Sequence, residues 1–156
     1  MMDGLRDYRQ QLLETYQAIA EEFCRAIQQT ADPFARIGDG EWTIHQIAAH
    51  VREVEREVYG ARIRRTLEEE NPLFESFDAD THMAQHYWPD EPLDSILDEL
   101  AALVQENVRR LRALPDEAWS RPSRHVTLGK DFTTQTWVER ALAHLKEHLR
   151  TIQGKG

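Results

Sequence analysis

Positive charge is scarce in this chain. Its 156 residues carry 28 Asp and Glu against 19 Lys and Arg, a formal net charge of −9 at neutral pH. A general nucleic-acid binder needs a basic face for the phosphate backbone, and this balance argues against that class of partner. Long apolar runs are missing too. The longest, such as AALV at 101–104 and IAAHV at 47–51, fall far short of the ~20 residues that span a bilayer, so no membrane partner is expected. The opening MMDGLRDYRQ is polar and lacks the charged-then-apolar order of a signal peptide, and the expectation is a soluble cytoplasmic protein. Cysteine occurs once, as Cys24, which rules out an internal disulfide and any cysteine-pair metal site. Set among Ile19, Phe23 and Ile27, it reads as a small buried hydrophobe.

What the chain does have is helical periodicity, in four segments. The first runs from about Leu5 to Gln29, with Leu5, Tyr8, Leu12, Tyr16, Ile19, Phe23 and Ile27 on one face. Pro33, Gly38 and Gly40 break it, and Thr43 with Gln46 then forms a capping-box pattern that starts a second helix. Ile44, Ile47, Val51, Val54 and Val58 form its apolar face, and it is expected to end near Glu70, before Asn71-Pro72. Residues 71–90 show no clean period and read as a long connection with room for a short helical piece. A third helix starts around Asp90, Glu91 and Pro92 and stops before Pro115; a fourth runs from about Thr134 to Gln153. HVTLGKDFT, between them, could pair as a short hairpin, but nothing else suggests a sheet. The reading is an all-α four-helix bundle, a single domain over 1–156, with long connections between helices 2 and 3 and between 3 and 4. Those connections are long enough for a crossover, so simple up-down-up-down order is not guaranteed.

Seven histidines are the main chemical signal. His144 and His148 stand one helical turn apart and border the stripe of Trp137, Ala141, Leu145 and Leu149. His50 follows Ile47 by three and precedes Val54 by four, so it points inward as well. Burying one imidazole without a partner costs roughly 1–3 kcal/mol. Three inward histidines on two helices can be satisfied by a divalent metal or by a hydrogen-bonded cluster, and spacing leaves both open. Other charged and titratable residues read more plainly. His45, in the first turn of its helix, is expected at the surface. His82 and His86 fall in the irregular connection near Asp78 and Asp80, where ordering would weaken a site. His125 reads as a solvated loop residue. The clusters Arg62, Arg64, Arg65 and Arg109, Arg110, Arg112 read as solvated helix ends.

GEWTIHQIAAHVREVE, at 40–55, resembles the start of the second helix in the DinB-like superfamily of bacterial four-helix-bundle proteins. There a Trp-Thr/Ser-Ile opening leads to a histidine followed three residues on by a carboxylate, here His50 and Glu53. LAHLKEHLRTI resembles the family's last helix, whose two histidines match His144 and His148. The resemblance implies a divalent metal (zinc, nickel, iron or manganese) on His50, His144 and His148 with open positions. It implies a homodimer and a small-molecule substrate, with a low-molecular-weight thiol as possible cosubstrate, since relatives include bacillithiol- and mycothiol-dependent S-transferases and a maleylpyruvate isomerase. A hydrolase-like reaction belongs to the same expectation. Glu53, one turn beyond His50, could orient a ligand imidazole or accept a proton; as a plain glutamate it would pair with Arg52 or Arg56. Many members have no known activity, so a non-catalytic stress-response or binding module, its metal structural or absent, is the other implied reading. A small-molecule sensor is a third. A route to the metal lined by FDADTHMAQHYW or WSRPSRHVTLGKDFT would separate the enzyme from the module.

Overall fold

In the computed structural model, which describes residues 2–37 and 40–154, four long helical stretches form the bundle. Helix α1 spans Met2–Gln28. The second stretch is α2 (Ile44–Val54), a π-helical segment (Glu55–Tyr59) and α3 (Gly60–Glu68) in unbroken succession. It opens with the capping box expected from the sequence: Gln46 N–H donates to the Thr43 hydroxyl at 3.1 Å, and the Gln46 side chain accepts from Thr43 N–H at 2.8 Å. A short helix α4 (Ala79–His86) lies in the following connection, capped by Asp78, and is followed by α5 (Leu93–Arg112) and α6 (Thr134–Ile152). Isolated helices of these lengths are marginal in water. What holds them is the shared interior of residues such as Tyr16, Phe23, Ile96, Leu100, Trp137 and Leu145, all fully buried.

Side-chain links between helices give their directions. Tyr8 reaches Glu139 and Glu22 reaches Gln153, so α1 and α6 are parallel. Cys24 lies on the Leu97 carbonyl and Tyr16 on Asn107, so α1 and α5 are antiparallel. Arg52 faces Glu99 and Glu68 faces Arg110, making the α2–α3 stretch parallel to α5. The order is therefore up-down-down-up, with α1 and α2–α3 each packed on both α5 and α6. Two successive "down" helices require the chain to return the length of the bundle between Glu68 and Leu93. That return contains α4 and a two-residue strand, β1 (Leu73–Phe74). β1 pairs in parallel with β2 (Arg124–His125), which pairs antiparallel with β3 (Gly129–Lys130). The hairpin was legible in HVTLGKDFT; the third strand was not, because two residues carry no alternation. Leu5 and Tyr8 depart from the expected inward face and are 41% and 44% exposed, since α5 runs out before reaching their level.

The π segment shifts the phase of the helix. After Val58 the inward positions are Arg62, Ile63 and Thr66, one residue later than an uninterrupted α-helix would place them. Gly60 follows from the same distortion: a Cβ there would sit 2.5 Å from the Glu55 carbonyl oxygen. The Glu55 side chain is sealed in the core, with Asn107 Nδ2 3.4 Å from Oε1 and no partner for Oε2. Burial pushes its carboxyl up to about 8, so it is neutral over most of the pH range where proteins fold. Arg62, expected at a solvated helix end, is buried instead. Its guanidinium stacks 4.9 Å from the Trp137 ring and donates to the Glu75 carbonyl at 3.0 Å. His125 is also buried, its Nδ1 accepting from Thr127 and Leu128 N–H, which corrects the loop-surface expectation.

Candidate metal centre

His50 is carried by α2, and His144 and His148 by the antiparallel α6. Because the two helices pack directly, one imidazole from the first and two from the second meet at one place. His144 Nε2 lies 3.2 Å from His50 Nε2 and 3.1 Å from His148 Nε2, and ligand atoms of all three fall within 4.8 Å of one another. An ion held by nitrogens at about 2.0–2.1 Å requires N–N edges of about 3.0–3.4 Å, depending on coordination angle. The two measured edges lie in that window.

Hydrogen bonding alone fits the arrangement less well. A neutral imidazole nitrogen either donates one proton or accepts through one in-plane lone pair. His144 Nε2 faces two other Nε2 atoms, so it can make one good bond and leave the second contact unmatched. Its other nitrogen, Nδ1, is buried and has no hydrogen-bond partner. Burial, reinforced by the neighbouring histidines, holds His50 down at about 4 and His144 at about 3; burial lowers His148 as well. All three are thus neutral at physiological pH, the form that binds metals. The donor set, its spacing and its protonation fit a divalent cation.

The surroundings are mostly aromatic and apolar. The Trp42 ring lies 4.8 Å from His50, and Tyr59 lies 5.7 Å from His144. An open cleft of about 360 Å³ reaches His148 and is lined also by Trp42, Ile47 and Asp80 of α4. Asp80 comes from FDADTHMAQHYW, one of the two segments expected to line a route. Trp88 is exposed and Phe132 stacks on Trp137, away from the cleft. Glu147, between the two α6 histidines, faces solvent as its helical position requires.

Glu53 sits next to this site but bonds elsewhere. It receives Arg56 Nη2 at 2.6 Å and His82 Nε2 at 2.9 Å, and Arg52 Nε lies 2.9 Å from it without aiming its proton. Burial pulls its carboxyl up, but His82 and the two arginines outweigh that and hold it below the usual carboxylate range. Among the described residues its carboxylate makes no hydrogen bond to any of the three clustered histidines. His82 and His86 are on regular helix, not irregular chain, with rings 4.4 Å apart, and His82 is close enough to His50 for its charge to be felt there. His45 corrects the surface expectation: it is 2% exposed, with Nδ1 2.6 Å from the Tyr87 hydroxyl and Nε2 2.8 Å from the Glu91 carbonyl oxygen. The connection after α3 folds back over the first turn of α2 and covers the ring with Tyr87 and Glu91. Cys24 is half-buried and its thiol is pushed up to about 11, which leaves it inert as a nucleophile.

No helix among the described residues is long and apolar enough to cross a membrane. A family model described as the DinB superfamily matches residues 5–152. No curated protein matches the sequence. Among solved structures, YfiT from Bacillus subtilis superposes with a TM-score of 0.83 at 19% identity, covering 94% of this chain and 85% of that one. YfiT is described as a probable metal-dependent hydrolase with an unusual four-helix bundle topology. At that identity the likeness establishes the shared fold.

Proposed function

The chain belongs to the DinB superfamily, and from that membership and its histidine cluster we propose that it is a divalent-metal-dependent enzyme acting on a small molecule. The reaction is transfer of a low-molecular-weight thiol to an electrophile, or hydrolysis, the class named for YfiT. The observation that carries the reading is the convergence of three neutral Nε2 atoms at 3.1–3.2 Å around His144. His50, His144 and His148 hold the ion. Three neutral ligands leave its charge uncompensated and at least one position free, which is the layout of a catalytic centre. When bound, the metal supplies Lewis-acid polarisation and lowers the pKa of a coordinated water or thiol. Thiolate chemistry suits zinc or nickel, and an oxygen nucleophile suits iron or manganese equally well.

The chain's own residues supply the rest. The cleft beside His148 admits a substrate between Trp42 and Asp80, with Trp42 giving an apolar face against His50. The Tyr59 ring, 5.7 Å from His144, adds a second aromatic neighbour to the cluster. Glu53 is a positioning residue: through its bond to His82 it fixes α4, and with α4 the cleft rim at Asp80. A pairing of two copies through their helices is part of the proposal.

One observation favours the second reading, a module whose metal is structural. Among the described residues none of the three imidazoles donates Nδ1–H to a carboxylate or carbonyl, the outer contact that usually orients a catalytic ligand. The deciding experiment has two stages. Metal content by mass spectrometry on untagged protein, beside His50→Ala and His144→Ala, is expected to show near-stoichiometric metal in the parent and none in the variants. Loaded protein is then assayed for thiol consumption with alkylating electrophiles and for ester or amide hydrolysis. Metal without turnover in either assay would favour the structural module. No metal after soaking with zinc, nickel and manganese would overturn the enzyme and leave the binding module, its histidines held by hydrogen bonds.

A further inference from the structure

At the end of the bundle away from the histidines, α5 stops at Arg112 while α1 continues beyond it. The chain turns at Pro115 into a single 3-10 stretch, Asp116–Ser120, and the gap left behind is a cavity of about 640 Å³. Its volume is within the range of small-molecule sites. Its lining includes the apolar Leu13, Leu111, Leu114 and Trp119 together with Arg6, Arg9 and Arg112.

The three guanidiniums are not equivalent. Arg6 is exposed and paired with Asp116 at 2.8 Å. Arg9 is 7% exposed and has only neutral acceptors: Gln135 Oε1 at 2.9 Å from Nε, and the Asp116 carbonyl oxygen at 3.5 Å from Nη1. Its guanidinium lies 5.4 Å from the Trp119 ring. Arg112 has no carboxylate within ion-pair distance among the described residues. Elsewhere in this acidic chain Arg52, Arg56, Arg65 and Arg109 hold carboxylates, whereas Arg62, like Arg9, is buried against an aromatic ring with a carbonyl acceptor. Arg9 lines a cavity of this size, and the nearest carboxylate whose charge reaches it, Asp116, is already held by Arg6, so the guanidinium is placed to take an added anion. Asp116 and Glu117 also line the cavity, so three positive groups against two negative ones leave room for a single negative charge.

We propose that this cavity binds a small monoanionic amphiphile, a carboxylate with an apolar body of medium-chain length. The head group is taken by Arg9 and Arg112 and the body lies on Trp119 and the leucines. The site is independent of the histidine cluster and stands whether or not that cluster is catalytic.

The test is calorimetric titration of the full-length protein with octanoate, beside octanol and octylamine, which share the body and change the head. Saturable octanoate binding is expected, with no binding of octylamine and weaker binding of octanol. Arg9→Gln and the exposed Arg112→Gln should each weaken octanoate by about tenfold or more, in line with loss of a charge-assisted hydrogen bond. Circular dichroism confirms that each variant remains helical, and Arg112→Gln decides the matter if Arg9→Gln does not fold. Absence of saturable octanoate binding would overturn the proposal. So would equal affinity for octylamine or octanol, or wild-type octanoate affinity in a folded Arg112→Gln protein.

Discussion

Around Arg52 and Glu53, positive and negative groups are matched almost atom for atom. Arg52 gives two hydrogen bonds to Glu91, at 2.6 and 2.8 Å, and Glu53 collects Arg56 and His82. Two residues earlier on the same helix the pattern reverses. His50, His144 and His148 turn nitrogens toward one another with no carboxylate among them, and a buried Nδ1 is left over. The first region pairs its charges internally and leaves only Arg52 Nε unaimed; the second has no charged partner among the described residues, and its donor spacing fits a divalent cation. Glu55, five residues past His50, shows a third solution: it is buried and becomes neutral. A stretch of about two helical turns thus holds a paired charge, a neutralised one and a set of open ligands, and only the last asks for something from outside.

The sharpest way to break this contrast is to delete a ligand and compare it with deleting a neighbour. His50→Ala, His144→Ala and His148→Ala should each lower metal affinity by more than about 100-fold in chelator competition, and His50→Ala about as much as His148→Ala. Glu53→Gln should lower it far less, within the range of an indirect contact. Equal losses would erase the distinction between the two regions.

The next largest effect is expected at Glu55 and depends on pH. Its folded pKa, about 8, is above the unfolded value near 4.5, so between these limits the native state holds a proton that the unfolded chain has lost. The contribution of Glu55 to native stability is therefore lost as pH rises from about 4.5 to 8. The lowered histidines contribute in the opposite sense up to about 6.5, so the Glu55 effect is read as the difference between wild type and variant. Glu55→Gln removes that dependence and should stabilise the protein at pH 8 relative to wild type, by an amount on the order of a few kcal/mol. At pH 5 the two should nearly coincide. Urea unfolding at both pH values checks it, and a stability difference between the two proteins that does not grow in the variant's favour from pH 5 to 8 would contradict the assignment.

Smaller effects refine the picture. Gly60→Ala would add a Cβ 2.5 Å from the Glu55 carbonyl oxygen, so it should destabilise by roughly 1–3 kcal/mol, where an ordinary helical Gly→Ala gains up to about 1. Thermal unfolding gives the sign directly. Glu53→Gln should speed hydrogen exchange across α4, residues 79–86, because His82 loses its anchor, while the core of α6 stays protected. Removing the exposed Arg109–Glu106 pair should leave the melting temperature unresolvably close to wild type.

Much of this molecule was readable from spacing. The capping box at Thr43 and Gln46, the third- and fourth-helix boundaries and the inward direction of His50, His144 and His148 follow from local chemistry and a 3.6-residue repeat. Three things were not readable in the same way. The π segment adds a residue without any break in composition, so the inward set after Val58 shifts unannounced and Ile63 and Thr66 turn into the interior. The return segment 69–92 has no period because it packs along the bundle's side, where each contact is individual. That segment covers His45 with Tyr87 and brings His82 to Glu53, contacts between residues 42 and 29 positions apart.

Helix by helix, then, the chain's own pattern of apolar residues and caps specifies which residues turn inward, because a helix face is decided by neighbours three and four positions away. Whether three inward histidines meet was a question of another kind. It depends on α2 and α6 packing directly and antiparallel, which follows from the up-down-down-up order and the long return that makes it possible. Such pairing is selected by the burial of whole faces against each other, a non-local term that no short window of residues contains. The same is true of the cavity at the opposite end, which exists because α5 ends where α1 does not.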